Sequence, residues 1–262
     1  MYLSMAILAV VAALIIGSCS SSPSSPSQTG ELRIRMIDSP ATYQHVYIVI
    51  NQVDVHMAGA DSTSGWVTIN NVPATYDLLT LQNGASAVLG DQILPVGKYT
   101  QIRLVIGTES NVIVNDTIYS LQMPSGMQTG IKLNNEFDIA VGALYELQLD
   151  FSVDQSIHRT GNNVYMLVPV IRVEATATSG TISGTVLPIT ARAIIAARSA
   201  TDTVSTYADT TSGAFMLMAI PAGIYSVEIA PSDTLLADST INFVQVTAAQ
   251  NTDLGTITLR VK

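Results

Sequence analysis

The sequence predicts an all-β protein built from two β-sandwich domains in tandem. Three observations carry that prediction. Apolar residues recur with a period of two through most of the chain, short clusters of Gly, Pro and Asn punctuate the alternating runs, and no long segment shows the 3.6-residue period of an amphipathic helix. Of 262 residues, 48% are hydrophobic and only 12% are charged, against a usual charged share of about a quarter. Such a chain is stabilised by apolar burial. Its net charge of -9 argues against nucleic acid as a partner, because phosphate recognition needs a basic face.

The first element is not part of either sandwich. Residues 6–16 (AILAVVAALII) are apolar without interruption. A membrane span needs about 20 such residues, so this run fits the apolar core of a secretory signal peptide followed by small residues. Ile16-Gly17-Ser18-Cys19 resembles the lipobox of bacterial lipoproteins, with isoleucine where leucine is commonest. The resemblance implies that residues 1–18 are a signal peptide and that Cys19 becomes an acylated N-terminus. A lipobox cysteine carries two or three acyl chains, enough for stable membrane anchoring where one chain is marginal. The membrane is then a partner through that lipid. Cys19 is the only cysteine, so the body forms no disulfide.

Residues 20–29 (SSSPSSPSQT) cannot bury enough apolar surface to fold and read as a semi-extended linker. Residues 19–29 thus comprise the lipidated cysteine and its tether. Aspartate after the cysteine would mark inner-membrane retention. Ser20 stands there instead, which implies an extracytoplasmic, membrane-anchored protein of the outer membrane, if the cell has one.

In the body, Tyr145, Leu147, Leu149 and Phe151 alternate with Glu146, Gln148, Asp150 and Ser152, which predicts a strand with one buried and one wet face. Residues 98–106 repeat the pattern through Ile102, Leu104 and Ile106. Residues 44–56 and 164–174 read as longer strands. Asn83-Gly84, Pro95-Val96-Gly97, Pro124-Ser125-Gly126 and Thr160-Gly161-Asn162 supply the turns. A domain boundary is expected at residues 175–180 (ATATSG), which are small or polar and have little to bury. Beyond it, about seven short strands in some 80 residues match the size of a small sandwich.

Residues 30–175 resemble the DUF4382 family of bacterial and archaeal lipoproteins. The matching stretches are Gly30-Glu31-Leu32 with Ile37-Asp38-Ser39-Pro40, then Val53-Asp54-Val55-His56 ahead of Trp66. Asp77-Leu78-Leu79 with Leu81-Gln82-Asn83-Gly84 follows, then residues 97–104, Pro124-Ser125-Gly126 and residues 130–133. Leu149-Asp150-Phe151 with Ser156, and Pro169-Val170-Ile171-Arg172, complete the set. The resemblance implies a β fold and an envelope location, and no reaction.

Residues 180–262 resemble the carboxypeptidase regulatory-like domain, a transthyretin-like sandwich that is not itself a peptidase. The matching stretches are residues 180–186, Asp209-Thr210-Thr211-Ser212-Gly213-Ala214-Phe215, and residues 220–227. Gly213 and Gly223 each precede a strand in a tight connection, where a positive φ is expected.

No sequence pattern for a zincin, serine hydrolase, P-loop or dinucleotide fold is present, and no cofactor is expected. His45, His56 and His158 are the only histidines. His45 and His56 are an odd number of residues apart, so an unbroken strand would put them on opposite faces and disfavour a shared metal. Asp138, Asp150 and Asp154 are the candidate calcium ligands, since calcium collects oxygen donors. The competing reading, that they are solvated charges guarding a sheet edge, is preferred because the spacing of a calcium loop is missing. Asn115-Asp116-Thr117 is a sequon with no expected use in a bacterial lipoprotein. Trp66, the sole tryptophan, is expected in the core.

The leading expectation is therefore a non-enzymatic, lipid-anchored cell-envelope protein that binds a protein or glycan, or serves a structural role, through its loops. The alternatives are a carbohydrate-binding or peptidase accessory module and a calcium-stabilised adhesin.

Overall fold

A computed structural model describes residues 28–262 apart from residues 62 and 128. The signal segment, Cys19 and the linker up to residue 27 lie outside the described residues.

The described chain is almost entirely β. Strands β1 (Thr29–Asp38), β2 (His45–Met57), β3 (Trp66–Asn70), β4 (Ala74–Asp77), β5 (Ala87–Pro95), β6 (Gly97–Ile106), β7 (Asn111–Val114), β8 (Thr117–Gln122), β9 (Ile131–Ile139) and β10 (Leu144–Phe151) come first. One helical turn, α1 (Val153–Ser156), precedes β11 (Ile157–Arg159), β12 (Tyr165–Leu167) and β13 (Ile171–Ala175). They form two sheets. The smaller has the order β13-β10-β1-β5, with β1 and β10 parallel; the larger runs β11-β12-β8-β7-β2-β6-β9, with β3 and β4 also paired to β2. Leu32, Ile34 and Met36 of β1 and Leu147, Leu149 and Phe151 of β10 meet Ile48, Val53, Ile102 and Leu104 in one core.

The second set is β14 (Ser179–Leu187), β15 (Ile194–Arg198), β16 (Thr203–Tyr207), β17 (Ala214–Pro221), β18 (Gly223–Ala230), β19 (Ser239–Val246) and β20 (Asn251–Thr258). The seven strands make sheets of order β17-β14-β20 and β16-β15-β18-β19. Ile182, Ile195, Phe215, Leu217, Val227 and Ile229 lie in a separate core. Each sandwich thus has the alternating inner face that period-two sequences produce.

Four details differ from the sequence expectation. The run 164–174 is two strands, not one. Pro169 has no N–H to give a ladder, and the chain crosses at residues 168–170 from the larger sheet to the smaller. The N–H groups of Val168 and Val170 are instead taken by the carbonyl oxygen and Oγ of Ser156, at 2.8 and 2.9 Å.

Strand β2 is also not continuous in phase. Two of its residues oppose one of β6 between Ile50 and Gln52. This bulge shifts the buried positions from Val46, Ile48 and Ile50 to Val53 and Val55. His45 and His56 therefore share the outer face, although eleven residues of strand, about 35 Å, separate them.

Trp66 is half-buried, outside the core, on that same outer face. The Arg103 guanidinium lies 4.3 Å from its ring centroid and the Lys132 ammonium 5.3 Å, while His56 meets it edge-on at 4.9 Å.

The boundary at residues 175–180 is a tight, tied turn. Thr176 N–H donates to the Glu146 carbonyl, Thr178 N–H to Ala175, and Ser179 Oγ to Ala175. Ser179 and Gly180 are buried.

Among the described residues no helix is long and apolar enough to cross a membrane.

Candidate functional site

The outer face of the small sheet was expected to be wet. In β10 its polar residues Gln148 and Asp150 are only 6% exposed, because the second sandwich lies across them. β10 is an inner strand, between β13 and β1, so Asp150 is not an edge charge. Its depth requires a partner.

Arg172, its register partner on β13, supplies one. Nη2 donates to Asp150 Oδ2 at 2.8 Å, and Ser39 Oγ donates to Oδ1 at 3.1 Å. The same guanidinium reaches the second sandwich. Nη1 donates to the Ala219 carbonyl at 2.6 Å and lies 3.5 Å from Asp202 Oδ2 and 3.4 Å from Glu174 Oε1. Burial works against the charge on Arg172, but Asp150, Asp202 and Glu174 more than offset it and raise its pKa. Burial raises the pKa of Glu174, with Arg172 pulling the other way.

Asp202 is positioned by its own loop between β15 and β16. Its N–H donates to Ser199 Oγ, and its Oδ1 accepts the Thr203 N–H at 2.9 Å.

Asp38, at the end of β1, sits behind this group at 5% exposure. Its carboxylate accepts from Gln82 Nε2 at 3.0 Å and from Val153 N–H at 3.3 Å. Burial pushes the Asp38 carboxyl up to about 8 against those hydrogen bonds, and the charge of Asp150 adds to the rise. At neutral pH the group is largely protonated.

In front of Arg172 lies a cleft of about 520 Å³ between the sandwiches. Ser39, Ser152, Asp154 and Gln155 line one wall; Ser199, Thr201, Asp202 and Ser205 line the other. It is a hydroxyl-rich, net acidic space at a domain junction, where ligand sites commonly occur.

The three carboxylates singled out in sequence are divided by the fold. Asp150 and Asp154 line this cleft, Asp154 from the exposed turn of α1. Asp138 is exposed on β9 in the other sheet, opposite Lys98. Among the described residues no three His, Cys, Asp or Glu side chains form a group able to hold a metal.

The histidines are also apart. His45 Nδ1 lies 2.6 Å from Asp77 Oδ2, His56 Nε2 lies 2.9 Å from the Asp61 carbonyl, and His158 is exposed on β11. Asp54, fully buried on the outer face of the large sheet, accepts from Arg103, Thr68 and Gln52.

Arg172, Asp202 and Ser39 were not recognised as site residues from sequence. Two signals were present. Arg172 interrupts an apolar run, and four of the family-matching stretches, Ile37–Pro40, Leu81–Gly84, Leu149–Phe151 and Pro169–Arg172, meet at this junction.

Comparison with family models matches residues 29–169 to DUF4382, a domain of unknown function. Comparison with curated proteins finds no match. Among solved structures, a cohesin–X-dockerin complex from Acetivibrio cellulolyticus is 25% identical over 31% of this chain and 58% of that one, with a TM-score of 0.25. The Bacillus anthracis TIE protein is 11% identical over 89% of this chain and 34% of that one, TM-score 0.23. The Streptococcus agalactiae minor pilin GBS52 is 10% identical over 88% and 96%, TM-score 0.26. This chain therefore spans 58% and 34% of the lengths of the first two.

Proposed function

The chain belongs to the DUF4382 family, and from that premise we propose that it is a non-enzymatic, lipid-anchored cell-envelope protein. Residues 1–18 are the signal peptide, Cys19 carries the lipid, and residues 20–28 tether two sandwiches that serve as a binding or structural unit, Thr29 being the first residue of β1. The second sandwich is the carboxypeptidase regulatory-like module, beginning at about residue 180.

One observation supports this reading above the others. Two of the deeply buried carboxylates are engaged in structural ion pairs. Asp150 is held by Arg172 and Ser39, and Asp54 by Arg103, Thr68 and Gln52. A nucleophile needs an adjacent base that is itself oriented; His45 and Asp77 supply a base with its orienting group, but neither lines the cleft that holds the hydroxyls. The accessory carbohydrate reading is weakened by Trp66, whose ring is used by Arg103 and Lys132.

The anchoring is tested by labelling cells with a radioactive or clickable palmitate analogue and fractionating them. The wild-type chain is expected to label and to pellet with membranes, and Cys19→Ser to do neither. Label on Cys19→Ser would overturn the lipoprotein assignment.

A further inference from the structure

We infer that the two sandwiches are a single rigid body, docked through the free edge of β17. β17 is an outer strand of its sheet and pairs only with β14. The first sandwich covers its other edge at two points.

Asn83 is the first. Its Oδ1 accepts the Met216 N–H at 2.6 Å and its Nδ2 donates to the Ala214 carbonyl at 3.2 Å, so one side-chain amide makes the two bonds that a neighbouring strand would make. Asn83 and Gly84 have φ of 55° and 90°, the left-handed turn that Asn-Gly favours. This turn brings the amide out of the loop, and Met216 packs against Gly84.

Arg172 is the second point. Between Gly180 and Ile182 the register of β14 and β17 shifts, and Ala219 sits in that bulge at φ 52°. A left-handed alanine is costly. Here the bulge turns the Ala219 carbonyl away from the ladder and onto Arg172, 2.6 Å away, a charge-assisted bond of the stronger kind.

An exposed strand edge is an invitation to pairing that proteins normally blunt. In this chain the blunting is done by the neighbouring sandwich. The same contacts fix the angle between the two and therefore the width of the 520 Å³ cleft. Linked domains with small polar interfaces ordinarily move relative to one another; the contacts along β17 oppose that.

Amide hydrogen exchange on the full-length protein tests this. In the wild type, peptides covering residues 214–222 are expected to exchange as slowly as those of the internal strand β18. Arg172→Ala strands Asp150 in a buried position, so Asn83→Gly, which keeps the left-handed turn and removes only the amide, carries the test. It is expected to speed exchange at residues 214–217 about tenfold or more, the effect of losing two hydrogen bonds of ordinary strength, with β6 unchanged. Rapid exchange of residues 214–222 in the wild type, or no change in Asn83→Gly, would overturn the inference.

Discussion

Asp150 and Arg172 face each other across β10 and β13, with Oδ2 and Nη2 2.8 Å apart, and Arg172 continues from there to the second sandwich. The pair joins the core of one sandwich to the surface of the other. Removing one partner of a buried ion pair leaves the other charge without compensation, which costs about 3–5 kcal/mol when burial is complete. Arg172 keeps about a quarter of its side chain exposed, 23%. Arg172→Ala is therefore expected to destabilise by about 2–3 kcal/mol in urea unfolding, and the Asp150→Asn/Arg172→Met double variant by less than Arg172→Ala alone. A double variant as unstable as the sum of the singles would show that the two residues act independently.

Asp38 predicts a pH dependence. Its folded pKa is about 8, and its unfolded pKa is near 3.9. The folded protein binds this proton more tightly, so the contribution to stability is complete below about pH 4 and is lost as pH rises through 8, at up to about 1.4 kcal/mol per unit. Asp38→Asn removes the term. The melting temperature of Asp38→Asn relative to wild type is expected to climb steadily from pH 5 to pH 8. A constant difference over that range would mean that Asp38 is already ionised in the folded protein.

Gly213 and Gly223 part company in the structure. Gly213 has φ 75°, and a Cβ there would come within 2.4 Å of the Val186 carbonyl oxygen. Gly223 lacks a positive φ, and its nearest contact would be an ordinary 3.5 Å. Gly213→Ala is expected to cost more than about 2 kcal/mol, combining left-handed strain with backbone overlap. Gly223→Ala should fall within about 0.5 kcal/mol of wild type. Thermal melts of the two variants side by side decide it; equal losses would contradict the assignment.

Most of the strands were legible because period two is a local property. The roughly seven short strands expected after residue 180 are found as β14–β20. Which face of a strand is covered is not local. Gln148 and Asp150 alternate with Leu147 and Leu149 as an exposed row would, and they are buried because a sandwich encoded 30 or more residues later lies on them. The β2 bulge was hidden for a similar reason: an extra residue shows only against the register of β6. The break in 164–174 did carry a readable local signal, Pro169. At the junction, Asp150 was visible as a candidate but its partner was not. Arg172 looks like any outward charge on a strand until Asp202 and Ala219 arrive from the other sandwich.

The most direct test of the structural role assigned to these carboxylates is to melt the purified protein in calcium and again in chelator. A cation that binds only the folded state raises the melting temperature by mass action. With Asp150 committed to Arg172 and Ser39, and Asp138 on another sheet, the two curves are expected to superimpose. A rise of several degrees in calcium, abolished by Asp150→Asn, would contradict this and make Asp150 and Asp154 ligands of a calcium-stabilised adhesin.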